Sequence, residues 1–165
     1  MTNSEQNQLI ADLARDLVVQ TAPQELPLFR ATSTAYFKSP DKVLKNTKGK
    51  EEMLGFGVAE AAVMMTPSIL VVMTRVVQFV TAEVEKSVAT ESTSLISDLI
   101  KQMFKKFRSS EAKKEQDTPP PLTPEQLAQV SKLAYEEATR LMHSDARARL
   151  LANAIVGSLV TSSSS

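Results

Sequence analysis

Apolar residues recur at helical spacing over much of this chain. Leu9, Ile10, Leu13, Ala14, Leu17 and Val18 fall on or beside one face and predict a first helix over residues 4–20. Ser4 can cap it, and Thr2 with Glu5 fits a capping box two residues earlier. The helix ends ahead of Pro23, because proline disfavours helical backbone in the residue before it. Residues 21–50 show no clear period. Pro23, Pro27 and Pro40 punctuate them, and Leu26, Leu28, Phe29, Tyr36 and Phe37 read as anchors of an ordered loop. A short strand at 33–38 is one option there. A short helix from Pro40 to Asn46 is another feature, with Ser39 as its cap and Pro40 at its first position.

Residues 51–108 read as one very long helix or two. Residues 123–160 read as a helical hairpin. Thr123-Pro124-Glu125-Gln126 is the clearest local signal in the chain: a Thr cap, proline at the first helical position and Gln where a capping box needs it. Leu127, Val130, Leu133, Ala134, Ala138 and Leu141 make its apolar face. A second start follows at Ser144 or Asp145, with Ala146, Leu150, Leu151, Ala154, Ile155 and Leu159 as the facing stripe. The turn at His143-Ser144 is short, so the two helices should be antiparallel neighbours.

Residues 54–82 are the most apolar stretch. Wound at helical pitch, Glu60, Ser68, Arg75 and Gln78 form a narrow polar seam, and almost everything else around the cylinder is apolar or Thr. Such a helix must be surrounded by other helices or by lipid. Residues 61–82 hold a single charge, Arg75, and are long enough to cross a bilayer. Their aliphatic and Phe side chains favour insertion by about 4 kcal/mol in sum, and Arg75 returns roughly 3 kcal/mol of that. Constitutive single-pass insertion is therefore not supported. In a soluble bundle, Arg75 should find a carboxylate, because a lone buried charge is costly. Pro67, if inside the helix, should kink it. Further on, Leu95, Ile96, Leu99, Ile100, Met103, Phe104 and Phe107 occupy one half of a helix, and Lys101, Lys105 and Arg108 the other. That pattern suits a docked surface helix, an anionic lipid surface or a partner groove.

Composition narrows the picture. Aromatic residues are 5% of the chain and there is no Trp, so the core is aliphatic and Met-rich, which favours helices. Lys plus Arg and Asp plus Glu are 19 each, and this zero balance argues against a strongly basic nucleic-acid binder. The charges are unevenly spread. Residues 38–50 carry five Lys against one Asp, residues 51–100 seven acids against two bases, and residues 101–118 six bases against three acids. With no Cys, thiolate metal sites and Cys nucleophiles are excluded. The polar N-terminus lacks the basic region of a secretory signal, which makes the cytoplasm the default expectation. His143 is the sole histidine, so a zinc site or a Ser–His–acid arrangement lacks material. Gly55-Phe56-Gly57 is not followed by the third Gly, or the Lys and Ser/Thr, of a phosphate loop.

The expectation is an all-α protein: a small helical bundle with a long central apolar segment and a C-terminal helical hairpin. Its parts would be a helical region over 1–108, a polar Pro-ended linker over 109–122, the hairpin over 123–160 and a disordered tail over 161–165. The expected function is non-enzymatic interaction or assembly through a protein partner or homo-oligomer, without cofactor or metal. Nucleic acid is disfavoured as a partner. The alternative is a membrane-active protein whose residues 61–82 insert on oligomerisation while 95–108 lie on an anionic membrane surface. The candidate site residues are the seam Glu60, Ser68, Arg75 and Gln78, and the basic helix with Lys101, Phe104, Lys105, Phe107 and Arg108.

Overall fold

A computed structural model of the chain describes residues 3–44, 65–87, 93–104, 122–142 and 144–159. These residues form an all-α bundle. Helix α1 spans Asn3–Thr21 and α2 Leu26–Lys38, joined by a 3-10 turn at Pro23–Glu25. Residues 40–44 are helical, as expected of the segment after Ser39. Helix α3 spans Thr66–Ser87, α4 Thr93–Gln102, α5 Pro124–Met142 and α6 Asp145–Gly157. Among the described residues there is no strand, and one isolated antiparallel bridge, Phe104 to Leu159, ties the chain beyond α4 to the chain beyond α6.

The amphipathic faces read from the sequence are the buried ones. Leu9, Ile10, Leu13, Ala14, Leu17 and Val18 of α1 are all buried. So are Val130, Ala134 and Ala138 of α5. On α6 the expected stripe is corrected in part: Leu151 and Ile155 are buried, but Ala146 and Leu150 are exposed, and Ala148 and Ala152 take their place in the core because the buried face is rotated from the one expected. Helix α3 lies at the centre. It packs against α1, α2, α4 and α5, while α6 packs on α5 and α1. All the buried apolar residues belong to one core, so the C-terminal hairpin shares the core of the N-terminal helices.

Two expectations about the middle of the chain are corrected. Residues 26–38 are not an anchored loop, and 33–38 is not a strand; they form α2. Both prolines lie in first turns, Pro23 in the 3-10 turn and Pro27 in α2. A first-turn N–H has no intrahelical acceptor, so proline loses nothing there. Four of the five anchors then fall on the inner side: Phe29 and Tyr36 are buried, as is Ser33 between them, with Leu26 and Phe37 packed beside them, whereas Leu28 points outward and is exposed. The same logic removes the kink at Pro67. Because α3 begins at Thr66, Pro67 sits in its first turn, where it displaces no hydrogen bond of α3 and has no earlier turn of α3 to kink.

Residues 65–73 are buried on every side, and Ser68 with them. Past that point α3 has one exposed stripe through Arg75, Gln78, Ala82 and Glu85. Arg75 is thus solvent-facing, and the desolvation that would have demanded a carboxylate partner does not arise. Thr74 and Thr81 return their hydroxyl protons to the carbonyls of Leu70 and Val77, both at 2.7 Å, so neither adds an unmet donor. Helix α4 ends at Gln102, short of the expected 108. Phe104 is fully buried and does not belong to an outward face. Met65 and Met73 are core residues, as a plain packing role predicts.

Candidate functional site

Among the described residues, an open groove of about 830 Å³ runs between α1 and α2. The short connection at residues 22–25 turns the chain back, so α2 runs along α1. Gln8, Asp12 and Arg15 come from one face of α1, opposite its buried stripe. Phe29, Arg30, Ser33 and Phe37 come from α2. Phe29 is 6% exposed and Ser33 7%, so they form the floor. Arg15 and Arg30 are exposed on opposite walls. Each lies within about 11 Å of the α1–α2 connection at 1.5 Å per residue, so both stand toward the same end of the groove.

The walls are held by polar ties to α3. Glu25 is 7% exposed, and both of its carboxylate oxygens are engaged. Met65 donates its backbone N–H to Oε2 at 2.9 Å. Thr66 donates its N–H to Oε1 at 2.9 Å and its hydroxyl to the same oxygen at 2.7 Å. The carbonyl of Met65 in turn accepts the N–H of Ile69 at 2.9 Å, so Met65 occupies the N-cap position of α3. A residue 41 positions upstream of Thr66 therefore supplies the cap, with its charge at the positive pole of the helix. At the other end of α2, the Tyr36 hydroxyl meets Thr74 Oγ1 at 3.0 Å. The Thr74 proton is already committed to Leu70, so Tyr36 is the donor. Burial pushes the Tyr36 phenol above its ordinary pKa of 10.0, against a downward pull from the Thr74 hydrogen bond and the Arg75 charge. Tyr36 also stacks edge-on against Phe37, with ring centres 5.2 Å apart, which links the tie to the groove.

Electrostatics give the groove a direction. Asp12 accepts from Gln8 Nε2 at 3.0 Å. Among the described residues, neither Arg15 nor Arg30 lies within ion-pairing distance of a carboxylate. Two guanidinium groups against Asp12 leave the lining with a net charge of +1. Ser33 spends its hydroxyl proton on the Arg30 carbonyl at 3.1 Å, which leaves its oxygen able to accept.

The candidate residues read from the sequence are not brought together. Ser68 is buried at the start of α3, whereas Arg75 and Gln78 face outward from its middle. Lys101 is half-buried on α4 and Phe104 lies in the core. Glu60, Lys105, Phe107, Arg108 and His143 lie outside the described residues, as do Gly55-Phe56-Gly57 and most of the expected linker. Among the described residues, no group of His, Asp and Glu is arranged to hold a metal ion. Arg15, Arg30 and Glu25 were not singled out by the sequence. The spacing of Leu26, Phe29, Ser33 and Tyr36 was the available signal for the groove, because a helix there creates its second wall. Comparison with known protein families, with curated proteins and with solved structures finds no match to this chain.

Proposed function

We propose that this chain is a non-enzymatic helical interaction protein that receives a protein partner, or a second copy of itself, in the groove between α1 and α2. The observation that carries this reading is the pair of guanidinium groups that, among the described residues, stand without carboxylate partners over an open groove with an aromatic floor. Charged heads beside aromatic surface are the composition of contact residues that dominate binding energy. Helix α3 serves as the scaffold that keeps both walls in place.

The test is a photo-crosslinking residue placed at Ala11 in the groove, with one at the exposed Ala128 of α5 as control. Ultraviolet illumination of expressing cells should give discrete higher-mass protein adducts from position 11 and not from position 128. A chain that forms no adduct at position 11 and elutes as a monomer in light scattering would refute the reading.

A second reading, membrane activity, has one supporting observation: Thr66–Lys86 is long and apolar enough to cross a bilayer. In the bundle its apolar side chains are already covered by other helices, so insertion requires α3 to leave the core. Arg75→Leu separates the two readings. An inserting protein should gain carbonate-resistant membrane retention on this substitution. A bundle whose Arg75 is solvent-facing should keep its distribution between soluble and membrane fractions.

A further inference from the structure

The chemistry of the groove points to the kind of partner it fits, on the premise that the chain is an interaction protein. The lining runs from Leu26 to Phe37 along α2 and from Ser4 to Arg15 along α1. Each is twelve residues of helix, eleven rises apart end to end, or about 17 Å and three turns. A volume of about 830 Å³ spread over that length has a cross-section of roughly 50 Å². A helix 10 Å wide has about 80 Å². The groove therefore embraces one face of a helix and leaves the other in solvent. The embraced face meets Phe29 and Phe37 on the floor and Arg15 and Arg30 at one end.

Charge selects among such helices. A basic helix would bring like charges onto two exposed guanidinium groups, whose nearest compensation in the lining is Asp12. A carboxylate side chain would give each guanidinium a planar acceptor, the geometry in which arginine binds most strongly. A nucleic acid needs a run of cations along its backbone, and this groove has two at a single end.

We infer that the α1–α2 groove docks an acidic amphipathic helix of a partner protein, with two carboxylates of that helix on Arg15 and Arg30 and its apolar side chains over Phe29 and Phe37. The mode is helix-in-groove recognition, with apolar anchors at helical spacing supplying contact area and the arginines setting register.

The experiment uses the full chain and two helix-stabilised fluorescent peptides with the same apolar stripe. One carries Glu at the flanking positions of one terminal turn and the other carries Lys. Binding is read by fluorescence anisotropy. The Glu peptide should bind about tenfold tighter than the Lys peptide, and the preference should shrink as added salt shortens the screening length. In the Arg15→Glu/Arg30→Glu chain the preference should reverse, while Arg75→Glu on the exposed stripe of α3 should leave it unchanged. If the doubly reversed chain does not fold, Arg15→Ala and Arg30→Ala taken singly should each weaken the Glu peptide and spare the Lys peptide. Equal binding of both peptides would overturn the acidic-partner inference and leave the docking reading standing. Absence of binding by either peptide would overturn the inference too, and the docking reading is then judged by the crosslink at position 11. Self-association of the chain that is lost in the doubly reversed variant would put a second copy in the groove and overturn a separate partner.

Discussion

Helices α3 and α5 begin in different ways. At the start of α5, Thr123 and Gln126 bond each other's backbone: the Thr123 N–H donates to Gln126 Oε1 at 2.9 Å and the Gln126 N–H to Thr123 Oγ1 at 3.1 Å. Everything the cap needs lies within four residues, and Thr123 is exposed to water. At the start of α3, the first donors are buried and the cap comes from Glu25, across the molecule. Water can replace a lost cap at α5. At α3 it cannot reach, so a long-range carboxylate becomes part of what defines where the helix starts. The two starts also differ in what they join. Glu25 fastens the α1–α2 pair to α3 at one end of the bundle. Gln126 uses its remaining amide protons on Glu83 Oε2 at 2.8 Å and fastens α5 to α3 at the other.

This contrast can be broken by substitution, and the largest effect should come from Glu25→Ala. It leaves two buried N–H groups and the Thr66 hydroxyl without an acceptor, and should cost about 3 kcal/mol or more in urea denaturation. Glu25→Gln keeps one acceptor oxygen and should recover part of the loss. Thr66→Val removes only the hydroxyl donor and should cost about 1 kcal/mol. Thr123→Ala, at the exposed cap, should also cost about 1 kcal/mol. If Glu25→Ala proves no more damaging than Thr123→Ala, the distinction between the buried and the exposed start is wrong.

Smaller effects sharpen the comparison through pH. The Gln126 hydrogen bond holds the Glu83 carboxyl below its ordinary value of 4.5, and Lys86 adds to this against a partial opposing effect of desolvation. A carboxyl with a depressed folded pKa contributes stability that is present above its unfolded pKa and lost as pH falls through the folded one. Gln126→Ala should therefore shrink the loss of stability on acidification below about pH 4.5, in chemical denaturation measured across that range. Tyr36 gives the opposite limb. A raised phenol pKa contributes stability that is present below 10.0 and lost as pH rises beyond it. Tyr36→Phe should change neutral stability least of all these variants, because the lost hydrogen bond leaves Thr74 bonded to Leu70. It should flatten the alkaline decline.

What was legible in the sequence is what neighbouring residues settle among themselves. The apolar face of α1, the stripe of α5, the Leu151 and Ile155 part of the α6 stripe and the box at Thr123 and Gln126 all operate within a few residues. So does Ser144, whose side chain accepts the Arg147 N–H at 3.3 Å and starts α6. The low aromatic content and the all-round apolarity of α3 likewise foretold a central helix wrapped by amphipathic ones. Pro23, Pro27 and Pro67 were read as interruptions and proved to lie in first turns, because a proline looks the same in a loop and at a helix start until the register is known.

Tertiary structure decided the rest. Which side of α3 faces water depends on where four other helices lie, so Ser68 is buried and Arg75 exposed although both fall in one polar seam. Glu25 caps a helix it precedes by some forty residues, and no local pattern encodes such a partner. Arg15 and Arg30 stand on two helices, and their groove exists only where α2 returns along α1. Periodicity and capping are short-range, and one chain displays them residue by residue. Burial, long-range hydrogen bonds and the juxtaposition of charges arise when distant segments share one core, and there the fold had to supply the answer.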